Sequence, residues 1–241
     1  MRILVIFGLL VNAALLQAQG FYFGVKGGPS LGIQQWNGID QDPLIAYHVD
    51  AFIESNEADA QAFSVFAQLG YHVKGSAIRN TRFNLNNGGI YNLPTQEFQF
   101  RNAVLTLAGK KRLNFRGDFV PFYAFGVRGE YTINTNLSDY EEANNVLLSR
   151  FFPTDFYVNR FQYGIYLSGG LEFALSELVG GAVELSLNPD FSRQYFQPAL
   201  GNITDPFRPG QNRTVPERSI RNVTIELSVA LRLLNRVEYI D

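Results

Sequence analysis

Cysteine is absent from the 241-residue chain, which excludes disulfides and thiolate metal sites. Charged residues make up only 17% of the sequence, compared with about a quarter in ordinary soluble domains. Beyond the N-terminal segment, the sequence has no run of about 18 apolar residues and therefore no candidate for a later membrane-crossing helix. No P-loop, dinucleotide fingerprint or zinc-type His/Glu spacing is present, and we expect neither a cofactor nor a metal. The formal charge of −2 gives no reason to expect nucleic acid as a partner.

The first 18 residues have the features of a secretory signal peptide. Arg2 precedes the mostly apolar stretch from Ile3 to Leu16, and the small residue Ala18 follows. The stretch is shorter than the roughly 20 residues that a transmembrane helix needs. We therefore expect residues 1–18 to be cleaved as a signal peptide and residues 19–241 to form one domain.

Apolar residues recur at every second position in eight segments. In Phe161–Leu175, every odd position is apolar or glycine, and most even positions are small or polar. A period of two places one set of side chains on one face of a strand, whereas a helix groups residues three and four apart. The other segments are Phe21–Gln34, Leu44–Glu54, Phe63–Lys74, Phe98–Ala108, Pro121–Ile133, Ala182–Asn188 and Arg218–Leu233.

One of these segments departs from regular alternation. Phe98 and Phe100 occupy even positions, whereas Leu105 and Leu107 occupy odd ones. This switch predicts a β-bulge near Arg101.

The connections between the segments alternate in length. Three are long, at about residues 75–97, 134–160 and 189–217, and the connections between them are short. Outer-membrane barrels combine an even number of strands with short periplasmic turns and long external loops. The sequence predicts an all-β fold, a closed eight-stranded antiparallel up-and-down transmembrane β-barrel with three long extracellular loops, located in the outer membrane.

The polar face of the strands carries glycines together with the charged residues. Glycines such as Gly24, Gly70 and Gly126 suit a narrow interior that alternates small and large residues, and the bulky apolar face would overfill it. We therefore expect the apolar face to contact outer-membrane lipid and the polar face to fill the lumen. Buried charges should pair with one another. The predicted structural lumen network comprises Lys26, His48, Asp50, Glu54, Gln68, His72, Lys74, Arg128, Glu130, Glu172, Glu184, Glu226 and Arg232.

Candidate catalytic groups are few, because the chain has only two histidines. The nearest approaches to a catalytic pair are His48 with Asp50 and His72 with Ser76. Both histidines fall on the predicted lumen face, where a hydrogen-bonded structural role is the simpler interpretation. We expect no catalytic residues and no enzyme activity, and an outer-membrane lipid- or peptide-modifying enzyme is the alternative.

Aromatic residues are concentrated in two of the long loops. They are Tyr140, Phe151, Phe152, Phe156, Tyr157, Tyr195, Phe196 and Phe207. Two interpretations are open, since such residues can form a surface for a protein partner or can pack over the mouth of the barrel.

Several short motifs resemble those of the PorT-like outer-membrane barrels of Bacteroidetes. Gln68–Gly75 resembles the third-strand signature of that family, although Gln68 stands where an acidic residue is usual. Phe23–Gly28, Pro121–Gly126 and Tyr163–Phe173 resemble its first, fifth and sixth strands. Some members serve the type IX secretion and gliding system, and the resemblance implies such a partner.

The end of the chain departs from the PorT-like pattern. Such barrels commonly end on an aromatic residue, whereas Leu234–Asp241 continues beyond the last segment. We expect a short periplasmic C-terminal tail here.

The function expected from the sequence is that of a structural or interaction component of the envelope with a filled lumen. A protein partner would bind the extracellular loops or the tail, and the barrel would be a monomer or a subunit of a larger membrane complex. The alternative within transport is a narrow ion or small-solute channel.

Overall fold

Within the described residues, eight long antiparallel strands form a closed ring in the computed structural model. The structure describes residues 20–36, 41–55, 63–79, 82–84, 90–92, 94–114, 117–141, 152–204 and 210–236. The predicted signal peptide at residues 1–18 lies outside them. None of the helical turns in the described ranges is long and apolar enough to cross a membrane.

The eight strands coincide with the eight alternating segments and extend most of them by a few residues. They are β1 Gly20–Trp36, β2 Asp42–Ser55, β3 Phe63–Ile78, β4 Gln96–Arg112, β5 Phe119–Thr135, β6 Phe161–Ala174, β7 Val179–Pro189 and β8 Arg218–Arg236. Their lengths exceed the roughly 5 or 6 residues of an average soluble strand and suit a tilted membrane crossing.

Each strand pairs antiparallel with its neighbours in sequence, and β1 pairs with β8 to close the ring. The closing register runs from Gly20 opposite Arg236 to Trp36 opposite Ile220. A closed ring leaves no unpaired sheet edge, which is what a strand structure needs in lipid. The predicted all-β, eight-stranded, up-and-down architecture is confirmed.

The ring has two dissimilar ends, which we call the loop end and the turn end. The connections 79–95, 136–160 and 190–217 lie at the loop end, together with the shorter connection 37–41. The connections 56–62, 113–118 and 175–178 lie at the turn end, as do the first residue of β1 and the last residue of β8. Part of each predicted long loop belongs to strands, because β3 continues to Ile78 and β4 already begins at Gln96.

The apolar face of the wall points outward. Ile45 is 71% exposed, Phe125 is 58% exposed and Val229 is 64% exposed. Tyr71 lies on the same face, half-buried beside the ring of Tyr47. A contiguous apolar surface of this extent is not tolerated in water and suits a hydrocarbon environment.

Glycine is required where the wall approaches lumen side chains closely. A Cβ atom on Gly70 would lie 2.0 Å from Asp50 Oδ1, and one on Gly126 would lie 2.2 Å from the Leu107 carbonyl oxygen. Both distances are far inside van der Waals contact, so a larger residue would displace its neighbours. Gly129, which faces outward, has open space at the same position.

The bulge predicted near Arg101 is present as a register shift, but the fourth strand does not change its inward face there. Every even residue of β4 from Phe98 to Lys110 is buried, so Phe98 and Phe100 point inward. A register shift does occur between Arg101 and Asn102, but the extra residue belongs to the partner strand β5. The two phenylalanines are apolar because the loop end of the lumen is filled by aromatic residues.

Short strands and 3₁₀ turns lie at the loop end. Strands Arg82–Asn84 and Ile90–Asn92 pair with each other, Leu200–Thr204 pairs with Asn212–Val215, and Tyr195–Gln197 pairs with β8. Two 3₁₀ turns span Leu137–Tyr140 and Asp155–Tyr157.

The beginning of the predicted C-terminal tail belongs to the barrel. Leu234, Asn235 and Arg236 extend β8 and pair with the first residues of β1. Residues 237–241 lie outside the described residues.

Candidate functional site

The thirteen predicted network residues all lie in the lumen. Twelve of them are buried, and Arg232 at the turn end keeps 13% of its side chain exposed. They lie on even positions of their strands, the face opposite the apolar residues. The strands therefore bring them together in two ionic groups, which we call the central cluster and the turn-end cluster.

His72 occupies the middle of the central cluster. Its Nε2 lies 2.8 Å from Asp50 Oδ1, and its Nδ1 lies 2.8 Å from Glu226 Oε1. Arg128 Nη2 also approaches Nδ1 at 2.9 Å, but it donates to Glu226 Oε1 at 3.0 Å. Because a carboxylate faces each ring nitrogen, we assign the doubly protonated imidazolium, which donates to both.

Lys74 forms the loop-side part of the central cluster. Its Nζ donates to Glu130 Oε1 at 2.5 Å and lies 3.2 Å from Asp190 Oδ2. Arg128 Nε lies 2.7 Å from the same Glu130 oxygen, and Asn102 donates to the other at 3.1 Å. Ser186 of β7 donates to Glu226 Oε2 at 3.2 Å. Every strand but β1 and β6 thus contributes a side chain to the cluster or its immediate partners.

The turn-end cluster brings three cations to two carboxylates. Lys110 Nζ lies 2.8 Å from Glu54 Oε2 and also pairs with Glu172. Arg112 bridges the same two carboxylates, with Nε 2.8 Å from Glu172 Oε2. Arg232 Nη1 lies 2.5 Å from that oxygen.

A separate pair joins β1 to β7. Lys26 Nζ lies 2.5 Å from Glu184 Oε1, and the buried Tyr166 hydroxyl donates to that same oxygen.

The lumen charges balance when His72 is an imidazolium. The carboxylates are Asp50, Glu54, Glu130, Glu172, Glu184, Asp190 and Glu226, and the other cations are Lys26, Lys74, Lys110, Arg112, Arg128 and Arg232. Seven negative charges therefore meet seven positive ones. Neutrality matters because an unpaired ion at this depth costs several kcal/mol.

Sequence reasoning missed three charged members of these clusters, namely Lys110, Arg112 and Asp190. The regular apolar alternation of the fourth segment ends at Ala108, but the strand continues and places Lys110 and Arg112 on the same inward face. Asp190 lies one residue beyond β7, and its partner Lys74 is 116 positions away in sequence. The alternation of inward and outward positions could have placed Lys110 and Arg112 in the lumen. Only the closed ring shows that Asp190 belongs to the cluster.

A layer of amide side chains covers the central cluster on its loop side. Gln34 donates to Gln194 Oε1 at 3.2 Å, and Asn222 donates to the same oxygen at 2.5 Å. Ser76 donates to Gln34 Oε1 at 2.7 Å. These short side chains occupy the cross-section between the ionic groups and the loops.

An aromatic cluster closes the lumen at the loop end. Its buried members are Phe98, Phe100, Leu137, Phe152, Tyr195 and Ile220, with Trp36, Ile78, Tyr140, Tyr157 and Val158 packed against them. Several loop aromatics therefore pack over the mouth, whereas Phe156 is 85% exposed. Phe151 and Phe207 lie outside the described residues.

Burial changes the acidity of two loop tyrosines at this end. Desolvation raises the pKa of Tyr140, whose hydroxyl donates to the Glu97 carbonyl at 2.8 Å. Desolvation also raises the pKa of Tyr195. Both phenols are therefore neutral donors at physiological pH.

The space left in the lumen is small. A cavity of about 30 Å³ lies between the Lys26 pair and the turn-end cluster, bordered by Phe52, Phe66 and Phe122. That volume accommodates about two water molecules. Within the described residues, the turn-end cluster, the central cluster, the amide layer and the aromatic cluster follow one another along the lumen.

The two histidines hydrogen-bond to other groups than the candidate partners nearest in sequence. His72 contacts Asp50 and not Ser76, and His48 Nε2 lies 2.8 Å from Ser228 Oγ. The sequence gives no sign of the contact with Ser228, because Ser228 lies 180 positions from His48. His48 and Ser228 are 2% and 1% exposed, and no partner contacts His48 Nδ1. A serine and a histidine in this arrangement lack both an orienting carboxylate and access for a substrate.

In the described part of the chain, no three His, Asp or Glu side chains converge in a way that could hold a metal ion. The carboxylates in the lumen are instead occupied by Lys, Arg and His72.

Comparison with known proteins identifies the architecture. The family model for the outer membrane protein beta-barrel domain matches residues 16–192. OprG of Pseudomonas aeruginosa has a similar structure, with a TM-score of 0.50 and 11% identity over 90% of this chain and 97% of that chain. For Neisserial surface protein A the TM-score is 0.45 at 9% identity, over 88% and 96%. For the Escherichia coli outer membrane protease OmpT it is 0.40 at 10% identity, over 91% and 98%.

At such identities, the likeness to OprG supports the barrel fold alone. A search of curated proteins by sequence finds no match.

Proposed function

Because the chain belongs to the outer membrane protein beta-barrel family, we propose that it is a non-enzymatic outer-membrane barrel that acts as a structural or interaction component of the envelope. Its loop end faces the exterior and its turn end faces the periplasm, as in other barrels with this asymmetry of connections. Its role is to present the loops on a rigid, closed support.

The filled lumen is the observation that carries this proposal. The turn-end cluster, the central cluster, the amide layer and the aromatic cluster follow one another along the barrel axis. An open pore requires a continuous aqueous path, and the space at the turn end holds about two water molecules. The geometry therefore favours a support over a conduit.

Planar bilayer recording of the purified protein tests the proposal. We expect no stable conductance steps above the background of protein-free detergent, while an open porin in the same bilayer gives its usual steps. Regular steps from the correctly folded protein would contradict the proposal and favour a narrow channel.

The absence of enzyme activity is part of the proposal and rests on the burial of His48, His72 and Ser228. Membrane lipids and a peptide library are incubated with the protein, and the products are compared with those of the His48→Ala and His72→Ala variants. A product that forms with the wild type and disappears in either folded variant would contradict it.

We further propose a PorT-like lineage and association with a type IX secretion-like complex. The support is the resemblance of Gln68–Gly75, together with the exposed ring of Phe156 in the second long connection. The tagged protein is captured from native outer membranes, with Phe156→Ser as the matched variant. Recovery of secretion subunits with the wild type and less with the variant is expected, and recovery of none would contradict the association.

Export by a cleavable signal peptide is the remaining part of the proposal. The support is the charged, apolar and small-residue order of residues 1–18. Intact mass measurement of the protein from outer membranes is expected to give a chain that begins at Gln19.

A further inference from the structure

Among the described residues, one buried arginine at the loop end has no carboxylate partner, whereas every lumen cation has at least one. Arg218 begins β8 and is only 6% exposed, and its Nη1 has no hydrogen-bond partner. It lies two residues before Ile220 of the aromatic cluster and points to the same inward face. Arg218 therefore lies on the side of that cluster away from the ionic lumen. Glu217, the adjacent acid in sequence, is exposed.

A second hydrogen-bond donor without a partner lies on the residue opposite Arg218. Gln197 is opposite Arg218 in the strand pairing, and its Oε1 accepts from the Tyr195 hydroxyl at 2.9 Å. The amide nitrogen of Gln197 is buried and has no partner. The described surroundings thus offer a buried N–H group beside the guanidinium and no free acceptor for either.

A second arginine adds positive charge at the same place. Arg213 lies on the short strand Asn212–Val215 and is in electrostatic contact with Arg218. Its Nε is also buried without a hydrogen-bond partner. Within the described residues, the charged or titratable groups that act electrostatically on Arg218 are Arg213 and Tyr195, and neither is a carboxylic acid.

This arrangement differs physically from the lumen clusters below it. There, each cation faces one or two carboxylates within about 3.2 Å. A buried guanidinium without a partner is strongly destabilising, and a second arginine nearby adds repulsion. Such an arrangement of unmatched donors is stable when an anion with several acceptor oxygens occupies the space between them.

We propose that Arg218, Arg213 and the Gln197 amide form a binding site for a phosphate-type oxyanion at the loop end. The guanidinium forks and the amide supply the donors, and the anion supplies the missing negative charge. The ligand approaches from the exterior, because Asn212 and Thr214 beside the site are exposed. It does not enter the ionic lumen, which the aromatic cluster separates from the site. This site is independent of whether the barrel conducts or docks to a complex.

Thermal unfolding of the full chain in dodecyl maltoside, with inorganic phosphate as the probe, tests the proposal. Phosphate replaces chloride at constant ionic strength, and the midpoint is followed by heat-modifiable migration. We expect a saturable rise for the wild type and apparent affinities at least about tenfold weaker for Arg218→Gln and Arg213→Gln, since each loses a charge-assisted contact. Arg193→Gln is the matched control, because Arg193 is exposed and stacks on Phe196.

The same experiment separates specific binding from general salt effects and from misfolding. Phosphate stabilises many proteins by exclusion from their surface, and that rise appears equally in Arg218→Gln. Without phosphate, we expect Arg218→Gln to be at least as stable as the wild type, because it removes an unmatched buried charge. With saturating phosphate, the order reverses. Parallel phosphate responses in the wild type and both variants would overturn the proposal.

A second arm identifies the source of the anion. Phosphatidic acid, which carries a phosphate monoester, is mixed into the micelles without free phosphate. A rise in the midpoint that depends on Arg218 in this arm assigns a lipid headgroup, and a rise confined to inorganic phosphate assigns a soluble ligand. If neither arm distinguishes the wild type from Arg218→Gln, the site does not exist.

Discussion

The two halves of the lumen are filled by different parts of the chain. From the turn end to the central cluster, strand side chains fill it, and they are mostly ions in matched pairs. Toward the loop end, residues of the connections such as Leu137, Phe152 and Tyr195 complete the filling, and they are mostly aromatic. The ionic half is fixed by the registers of the wall, whereas the aromatic half also depends on how the loops fold back.

The largest expected effect is in the ionic half. Glu226→Ala leaves Arg128 and His72 without their shared carboxylate, and we expect the free energy of unfolding to fall by about 3–5 kcal/mol. Denaturant unfolding in lipid vesicles measures this. Glu217→Ala, at an exposed position beside β8, is the control and should leave the midpoint unchanged. A small effect for Glu226→Ala would show that the ionic half is not held by its charges.

A substitution in the wall itself sharpens the comparison. Gly70→Ala places a methyl group against Asp50 and disturbs its contact with His72, and we expect a loss of about 1–3 kcal/mol by the same measurement. Gly129→Ala makes the same chemical change on the outward face, where the methyl group meets open space. Equal losses in the two variants would mean that strand propensity, and not lumen packing, is responsible.

In the aromatic half, single changes should act locally. Tyr140→Phe removes hydrogen bonds to the Glu97 N–H and carbonyl groups, and we expect a cost of about 1 kcal/mol confined to the loop end. Trp36 is the sole tryptophan of the chain and packs against this cluster, so its emission reports on it. A shift in Trp36 emission at an unchanged unfolding midpoint is expected. A lowered midpoint with unaltered emission would place the effect elsewhere.

The smallest expected effect is an alkaline one. The pKa values of Tyr140 and Tyr195 are raised by burial, so the folded loop end favours the neutral phenols. This stabilisation is complete below the ordinary tyrosine pKa of about 10 and is lost as the pH rises through the raised values. Trp36 emission should therefore change above about pH 10 while the barrel stays folded. The double variant Tyr140→Phe and Tyr195→Phe should weaken that response, and an unchanged response would assign it to other groups.

The same division explains how far the sequence could be interpreted. Alternation predicted the strands because a period of two survives in every segment except the start of the fourth, and it placed residues such as Glu226 and Arg128 on the inward face. It failed for Phe98 and Phe100, because an inward residue at the loop end meets aromatic loops and not ions. The alternation of inward and outward positions also cannot predict which lumen side chains contact one another. The contacts of His48 with Ser228 and of Lys74 with Asp190 depend on ring closure, which brings distant strands together.

The pair between Lys26 and Glu184 also has a consequence for the order of folding. The two residues are 158 positions apart, and the strand that pairs with both of theirs is the last one, β8. The lysine is therefore synthesised long before the carboxylate with which it forms its ion pair. Such long sequence separations slow folding, and this pair forms only when β8 joins β1 to β7. The nascent chain must consequently be protected from aggregation until it is complete, and insertion and closure should occur as one concerted event.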